Sequence, residues 1–328
     1  MNILITGSNG FVGSRLMWVL EKEGHNVWGI DKRDTCLREK HPHTISGDIR
    51  QIEDLRKFND QHFDLIIHCA AEKHDWGISR DEYFSNNEYG TRILMQYATE
   101  LGIKKVIYFS TVGVYGHRSV PCDETGLLQP DNPYGESKLA GERVVEEWQK
   151  QDNEREVIFL RPSIIYGPYN YANMYNLIDM MHKKLWITIG KGMHIKSIVS
   201  LENLVDMTDF AIQNLKPGLQ IFNAVDKPYI TIEQLMEIIA SNKGFHLPII
   251  RIPLWSAILV GKIFDLIAFI IKKDIPINSE RMRKLDTSTE YYSEKIREMG
   301  YVQEHTIGEE IKKTCEWYLK NPKRCNNN

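Results

Sequence analysis

Asn2-Ile3-Leu4-Ile5-Thr6-Gly7-Ser8-Asn9-Gly10-Phe11-Val12-Gly13 joins a short apolar run to three glycines spaced three apart, and the reading of this stretch decides the fold. The apolar run has the composition of a buried strand, and residues 11–23 have the spacing of an amphipathic helix. Between them, Gly7 permits a tight turn, Gly10 lets the backbone approach a pyrophosphate, and Gly13 allows the helix to pack closely on the strand. The first N–H groups of a helix have no partner within it, so the backbone of Asn9, Phe11 and Val12 would face phosphate here. Asp31 ends the second apolar run, where a carboxylate can accept from the hydroxyls of an adenosine ribose and repel a 2′-phosphate. That favours NAD over NADP, although Lys32 and Arg33 follow at once and could soften the preference. Asp48, with Ile49 beside it, comes after a third strand and is placed to meet adenine.

Outward from that turn, residues 26–30, 65–68, 106–109 and 157–160 read as buried strands, and 52–59, 81–101 and 134–151 as helices. Such alternation predicts an α/β fold, a Rossmann-type doubly wound parallel sheet. After Pro168 the rhythm breaks. Residues 174–184 read as a helix, short strands fall near 186–189 and 196–200, and the helix 201–214 and strand 219–223 could return to the first sheet. Thr231 with Gln234, and Thr306 with Glu309, fit capping boxes. The expected division is an NAD-binding domain over 1–167 plus about 196–225, and a smaller α+β substrate domain over about 168–195 and 226–328.

A length of 328 residues suits two domains, and a net charge of −3 argues against nucleic acid as a partner, which would call for a basic face. The five cysteines (Cys36, Cys69, Cys122, Cys315, Cys325) are odd in number and form no ligand spacing, so neither disulfides nor a metal centre are expected. The start of the chain has no basic n-region or long apolar stretch, which points to the cytoplasm. The apolar run Leu254–Ile271 is interrupted by Lys262 and Asp265, so a helix buried in the second domain's core is expected. The alternative is a helix lying on a membrane surface over 254–273, since Lys272 and Lys273 follow directly.

Tyr134-Gly135-Glu136-Ser137-Lys138 puts a phenol and an ammonium one helical turn apart. An unperturbed tyrosine titrates near about 10 and is a poor base at neutral pH; a neighbouring lysine favours its phenolate. Thr111, after Ser110 at the end of the fifth strand, can share the substrate oxygen with Tyr134. Thr111, Tyr134 and Lys138 are the candidate catalytic residues for hydride transfer at a carbon bearing a hydroxyl.

The whole chain resembles the extended short-chain dehydrogenase/reductases, the NAD-dependent sugar epimerase/dehydratase family. The matching residues are Thr6-Gly7-x-x-Gly10-x-x-Gly13, Asp31, Asp48, His68-Cys69-Ala70-Ala71, Asn87-x-x-Gly90-Thr91, Ser110-Thr111, Tyr134-x-x-x-Lys138 and Arg161-Pro162. The resemblance implies that Ala70, Ala71 and Ser110 line the NAD, that Asn87 steadies it, and that Lys73 stands near cofactor and substrate. The dehydratases carry Asp-Glu after the catalytic threonine; Val112 and Gly113 stand there in this chain and cannot do acid–base work, which disfavours dehydration. By the same resemblance Asn173, Lys196, Arg281 and Arg283 are candidate contacts to a sugar diphosphate, each equally readable as a solvated polar residue. The pattern is similar to bacterial surface-polysaccharide 4-epimerases, including those acting on undecaprenyl-diphosphate-linked N-acetylglucosamine. Epimerisation at C4 of a diphosphate-linked sugar, on a nucleotide or a polyprenyl carrier, is therefore the leading expectation, in a homodimer. A keto-sugar reductase or hydroxysteroid-type dehydrogenase is the alternative, and a non-catalytic NAD-binding scaffold a weaker one.

Overall fold

The computed structural model describes residues 1–73, 77–117, 120–185, 187–190, 192–248, 250–271 and 288–321. In chain order these form β1 (Asn2–Thr6), α1 (Gly13–Lys22), β2 (Asn26–Asp31), β3 (Thr44–Ser46), α2 (Ile52–Arg56), β4 (Leu65–His68), α3 (Arg80–Phe84) and α4 (Gly90–Glu100). Next come β5 (Lys105–Phe109), α5 (Pro133–Lys150), β6 (Glu156–Pro162), β7 (Ile164–Tyr166), α6 (Asn173–His182), β8 (Thr188–Ile189) and β9 (Ile198–Ser200). The last labelled elements are α7 (Leu201–Gln213), β10 (Gly218–Ala224), α8 (Ile232–Ala240), β11 (Arg251–Ile252) and α9 (Leu254–Ile271).

Seven strands make one parallel sheet in the order β10-β6-β5-β4-β1-β2-β3. Both faces are covered, and that is why the central strands read as unbroken apolar runs rather than alternating ones. Ile3 and Ile5 pack with Leu16, Met17 and Leu20 of α1 and Leu204, Val205 and Met207 of α7 on one face. Leu4, pointing the other way, packs with Leu55 of α2, Leu94 and Ala98 of α4 and Val144, Val145 and Trp148 of α5. The strand expected over 219–223 does return to this sheet, as β10 beside β6.

Two expectations change. The helix expected over 81–101 is broken: α3 and α4 are separated by a π-helical turn, Ser85–Tyr89. Its extra residue turns Asn86 and Asn87 inwards, to 8% and 0% exposure, so that polar side chains replace apolar ones beneath the cleft. Also, α9 is not a core helix over 254–265. Ala257 is enclosed, but Trp255, Leu259 and Ile263, spaced four apart on one face, are 69%, 55% and 54% exposed. Among the described residues no helix is long and apolar enough to cross a membrane.

Both capping boxes form, at Thr231 with Gln234 and at Thr306 with Glu309. A third apolar cluster joins α6, α8 and the helix Ile307–Lys320 through Ile178, Met181, Leu235, Ile239, Ile311 and Tyr318. The small pairing of β7 with β9 carries no pattern in the sequence, because strands of three residues are too short to show a period.

Candidate active site

The carboxyl ends of β1 and β4 lie side by side while their following helices leave for opposite faces, and ligand crevices of parallel sheets form at such a point. Gly7 has φ +71°, and a Cβ on Gly13 would stand 2.2 Å from the Gly7 carbonyl oxygen. The turn can therefore be built only without side chains at these two positions. Beyond it, the N–H groups of Phe11, Val12 and Gly13 meet no acceptor among the described residues, and the Asn9 side-chain oxygen is buried without a hydrogen bond. Asp31 braces the turn: Oδ2 accepts from the Asn9 N–H at 3.0 Å and Oδ1 from the Arg33 N–H at 2.9 Å. Oδ2 keeps a lone pair for a ribose hydroxyl. Unspent helix donors, a turn stripped of side chains and a strand-end carboxylate fit a dinucleotide.

Asp48 is gripped by Arg50, whose Nε donates to both carboxylate oxygens at 3.0 and 2.9 Å. Partial burial pushes this carboxyl upward, but the Arg50 hydrogen bonds and charge hold it below its usual value. Ile49 is buried against Gly90 at the start of α4, and Ala70 is half-buried against Gly7. Ala71 is exposed.

Asn87 acts on the protein itself. Its Oδ1 accepts from the Glu72 N–H at 2.7 Å, and its Nδ2 donates to the Glu72 carbonyl at 3.0 Å and to Ser137 Oγ at 2.9 Å. Ser137 Oγ donates in turn to the Tyr134 carbonyl at 2.8 Å. One amide thus fixes both the loop after β4 and the first turn of α5. A buried chain supports it from below. Thr91 Oγ1 donates to the Asn87 carbonyl at 2.7 Å and so must accept from His68 Nε2–H at 2.9 Å. His68 Nδ1 then accepts from the Thr6 hydroxyl at 2.7 Å, and Thr6 Oγ1 accepts from the Ala70 N–H at 3.2 Å. His68 is held neutral, its pKa lowered by burial and by the charge of Lys138.

α5 begins where the sequence marks it: Asn132 caps it through the Gly135 N–H at 2.9 Å, and Pro133 occupies its first turn. A Cβ on Gly135 would lie 2.7 Å from the Gly113 carbonyl oxygen, so the bare glycine lets the first turn of α5 close on the 3₁₀ turn Val112–Tyr115. This contact draws the backbone beside Tyr134 towards the turn that follows Thr111. Thr111 Oγ1 accepts from the Gly113 N–H at 3.1 Å, which leaves its O–H proton to donate towards a substrate oxygen. The Tyr134 ring packs against Tyr83, with centroids 6.3 Å apart. Lys138 is 1% exposed, with Nζ 4.1 Å from the centroid of the Tyr108 ring. Burial pushes its ammonium down to about 7, against the opposing pull of Glu142. Ser110, at the end of β5, has a buried hydroxyl without a hydrogen bond.

The candidate substrate residues are more scattered. Lys73 is exposed on the loop after β4, Asn173 is exposed at the start of α6, and Lys196 is half-buried and bridged through its backbone to Thr289. Arg281 and Arg283 lie outside the described residues. The roles of Glu72, Asn86 and Ser137 carry no sequence signal of their own; the π turn that aims the two asparagines was invisible in the helical pattern.

Residues 3–224 match the NAD dependent epimerase/dehydratase family. The chain belongs to it. This member of the family is 29% identical to the N-acetyl-alpha-D-glucosaminyl-diphospho-ditrans,octacis-undecaprenol 4-epimerase of Escherichia coli O157:H7, over 98% of this chain and 97% of that protein. It is 28% identical to the UDP-glucose 4-epimerase of Vibrio cholerae, over 97% and 96% of the two chains. Its fold matches that of the UDP-glucose 4-epimerase of Thermotoga maritima solved with UDP-glucose, with a TM-score of 0.78 at 21% identity, over 98% and 100% of the two chains. NAD is the cofactor of the family, and the cradle of Gly7, Phe11, Val12, Gly13 and Asp31 fits it.

Proposed function

We propose that the enzyme interconverts the C4 epimers of a sugar whose anomeric carbon bears a diphosphate, and that the diphosphate's other end carries a polyprenyl chain. NAD, held by the glycine turn and Asp31, would supply the hydride acceptor and donor for C4. The Tyr134 phenolate removes the O4 proton as C4 is oxidised, and gives it back as the keto sugar is reduced. Lys138 stabilises the phenolate by its charge, and Thr111 donates a hydrogen bond to O4 through both half-reactions. This reading is supported by the close approach of Gly135, next to Tyr134, to the backbone of Gly113, two residues after Thr111, where Val112 and Gly113 supply no second acid or base.

The polyprenyl carrier is supported by a lobe with an apolar surface. Thr188 N–H donates to the Ile250 carbonyl at 3.1 Å as β8 pairs with β11, which sets exposed Ile187 beside exposed Ile250. Trp255, Leu259, Val260 and Ile263 extend that surface along α9, with Lys262 exposed among them. Apolar side chains with a lysine among them suit the boundary of an anionic membrane, where a polyprenyl diphosphate resides. The full-length relative from Escherichia coli O157:H7 points the same way, since its name specifies an undecaprenol carrier.

The test supplies N-acetylglucosamine on undecaprenyl diphosphate in detergent micelles, and on UDP, with catalytic NAD. Epimer formation on the lipid carrier, with no lasting change in the NADH absorbance band, is the expected result. Product formed mole for mole with cofactor consumed would replace the epimerase by a reductase. Turnover on UDP alone would remove the polyprenyl carrier.

A further inference from the structure

Lys32 directly follows Asp31, so by sequence it is the cation nearest the place of a 2′-phosphate. Two of its three ammonium hydrogens are already committed: Nζ donates to Glu72 Oε2 at 3.0 Å and to Asn86 Oδ1 at 3.2 Å. Both acceptors are anchored. Glu72 is 6% exposed, its backbone N–H and carbonyl are both held by the Asn87 side chain, and its other carboxylate oxygen accepts from the Lys73 N–H at 3.1 Å. Asn86 Nδ2 donates to the Glu82 carbonyl at 2.8 Å, which turns its Oδ1 towards Lys32. The second cation, Arg33, folds back on Asp31 through its N–H at 2.9 Å and Nε at 3.5 Å. The Lys32–Glu72 pair neighbours the Asp48–Arg50 pair, Lys32 acting electrostatically on Asp48 and Glu72 on Arg50.

We infer that Glu72, assisted by Asn86, is a specificity-determining residue for the cofactor: it ties down Lys32 and sets a second fixed carboxylate near Asp31, so that the site refuses a 2′-phosphate. Drawing Lys32 to that phosphate would break its bond to a buried, anchored carboxylate, at a cost. The same carboxylate repels the phosphate by Coulomb's law. Asp31 alone would leave Lys32 available as a compensating cation; the pairing with Glu72 removes that route. This inference rests on the assignment of the cleft to NAD and names the residues that make the assignment selective.

Titrating the full-length, cofactor-stripped protein with NAD, NADP, 5′-AMP and 2′,5′-ADP, read by calorimetry, tests it without any turnover. Glu72→Gln keeps the shape and the Asn87 clamp, which grips only backbone, and removes the charge. It should tighten NADP and 2′,5′-ADP roughly tenfold, the worth of about one charge-assisted hydrogen bond, and leave NAD and 5′-AMP unchanged. Asn86→Ala should shift the same ratio by less, and Lys32→Ala combined with Glu72→Gln should cancel the gain. A merely structural Glu72 would lower the affinities of both cofactors together. That result, or a gain that persists without Lys32, overturns the inference. Failure of the unmodified protein to bind NAD and 5′-AMP would instead bring down the assignment of the cleft, and the selectivity with it.

Discussion

Lys138 has almost no contact with water, and its charge depends on what stands opposite it. Burial, only partly opposed by Glu142, takes the ammonium down to about 7, so a phenolate at Tyr134 and the ammonium at Lys138 each make the other cheaper to form. Tyr134→Phe deletes the proton acceptor while keeping the ring that packs on Tyr83. Turnover should fall by roughly 10²–10⁴-fold, with NAD affinity preserved in an equilibrium titration. Near-normal turnover would show that another group takes the proton. At this scale much was legible. The glycines, Asp31 and the Tyr134/Lys138 pair carry their chemistry in residue type and spacing, and the turn, the strand end and the helix that hold them form as read. Glu72 was not legible, because a single carboxylate in a loop has no pattern until Asn87 and Lys32 are found around it.

At the scale of elements, strands and helices with long apolar runs were readable, and interruptions were not. β4 and α5 match their sequence patterns to within a residue, since burial on both sheet faces and a capped first turn leave strong marks. The π turn Ser85–Tyr89 left none, as a single extra residue hardly disturbs a helical period. For α9 the apolar content was plain, but which face it would bury depended on what packs against it. The exposed row of Leu259 and Ile263 gives the membrane proposal its sharpest test. Leu259→Gln with Ile263→Gln should change stability by no more than about 0.5 kcal/mol, as expected of surface positions. Co-sedimentation with vesicles containing anionic lipid should fall severalfold, and turnover of a water-soluble substrate analogue should be unaffected. Unchanged sedimentation would sink α9 as the contact.

For the molecule as a whole, the glycine turn, the loop after β4, the strand end at Ser110 and the start of α5 converge on one cleft, so a dinucleotide there ties together parts distant in sequence. Binding to the folded state alone adds stability by mass action, about 2.7 kcal/mol at a hundredfold excess over Kd. NAD at that level should raise the thermal midpoint by several degrees, and NADP at the same concentration by clearly less. Equal shifts would show that the cleft does not distinguish the 2′ position. By itself, the sequence determined the parallel sheet and the glycine turn and proposed the Tyr134/Lys138 pair, because each follows from short-range spacing or from the burial of continuous apolar runs. Only the tertiary structure decided which polar groups clamp the cleft, which cation is neutralised and which face of α9 meets solvent. Those outcomes depend on contacts such as Lys32 with Glu72 and Asn87 with Ser137, across 40 and 50 residues of chain, and no local pattern records a partner that only folding brings near.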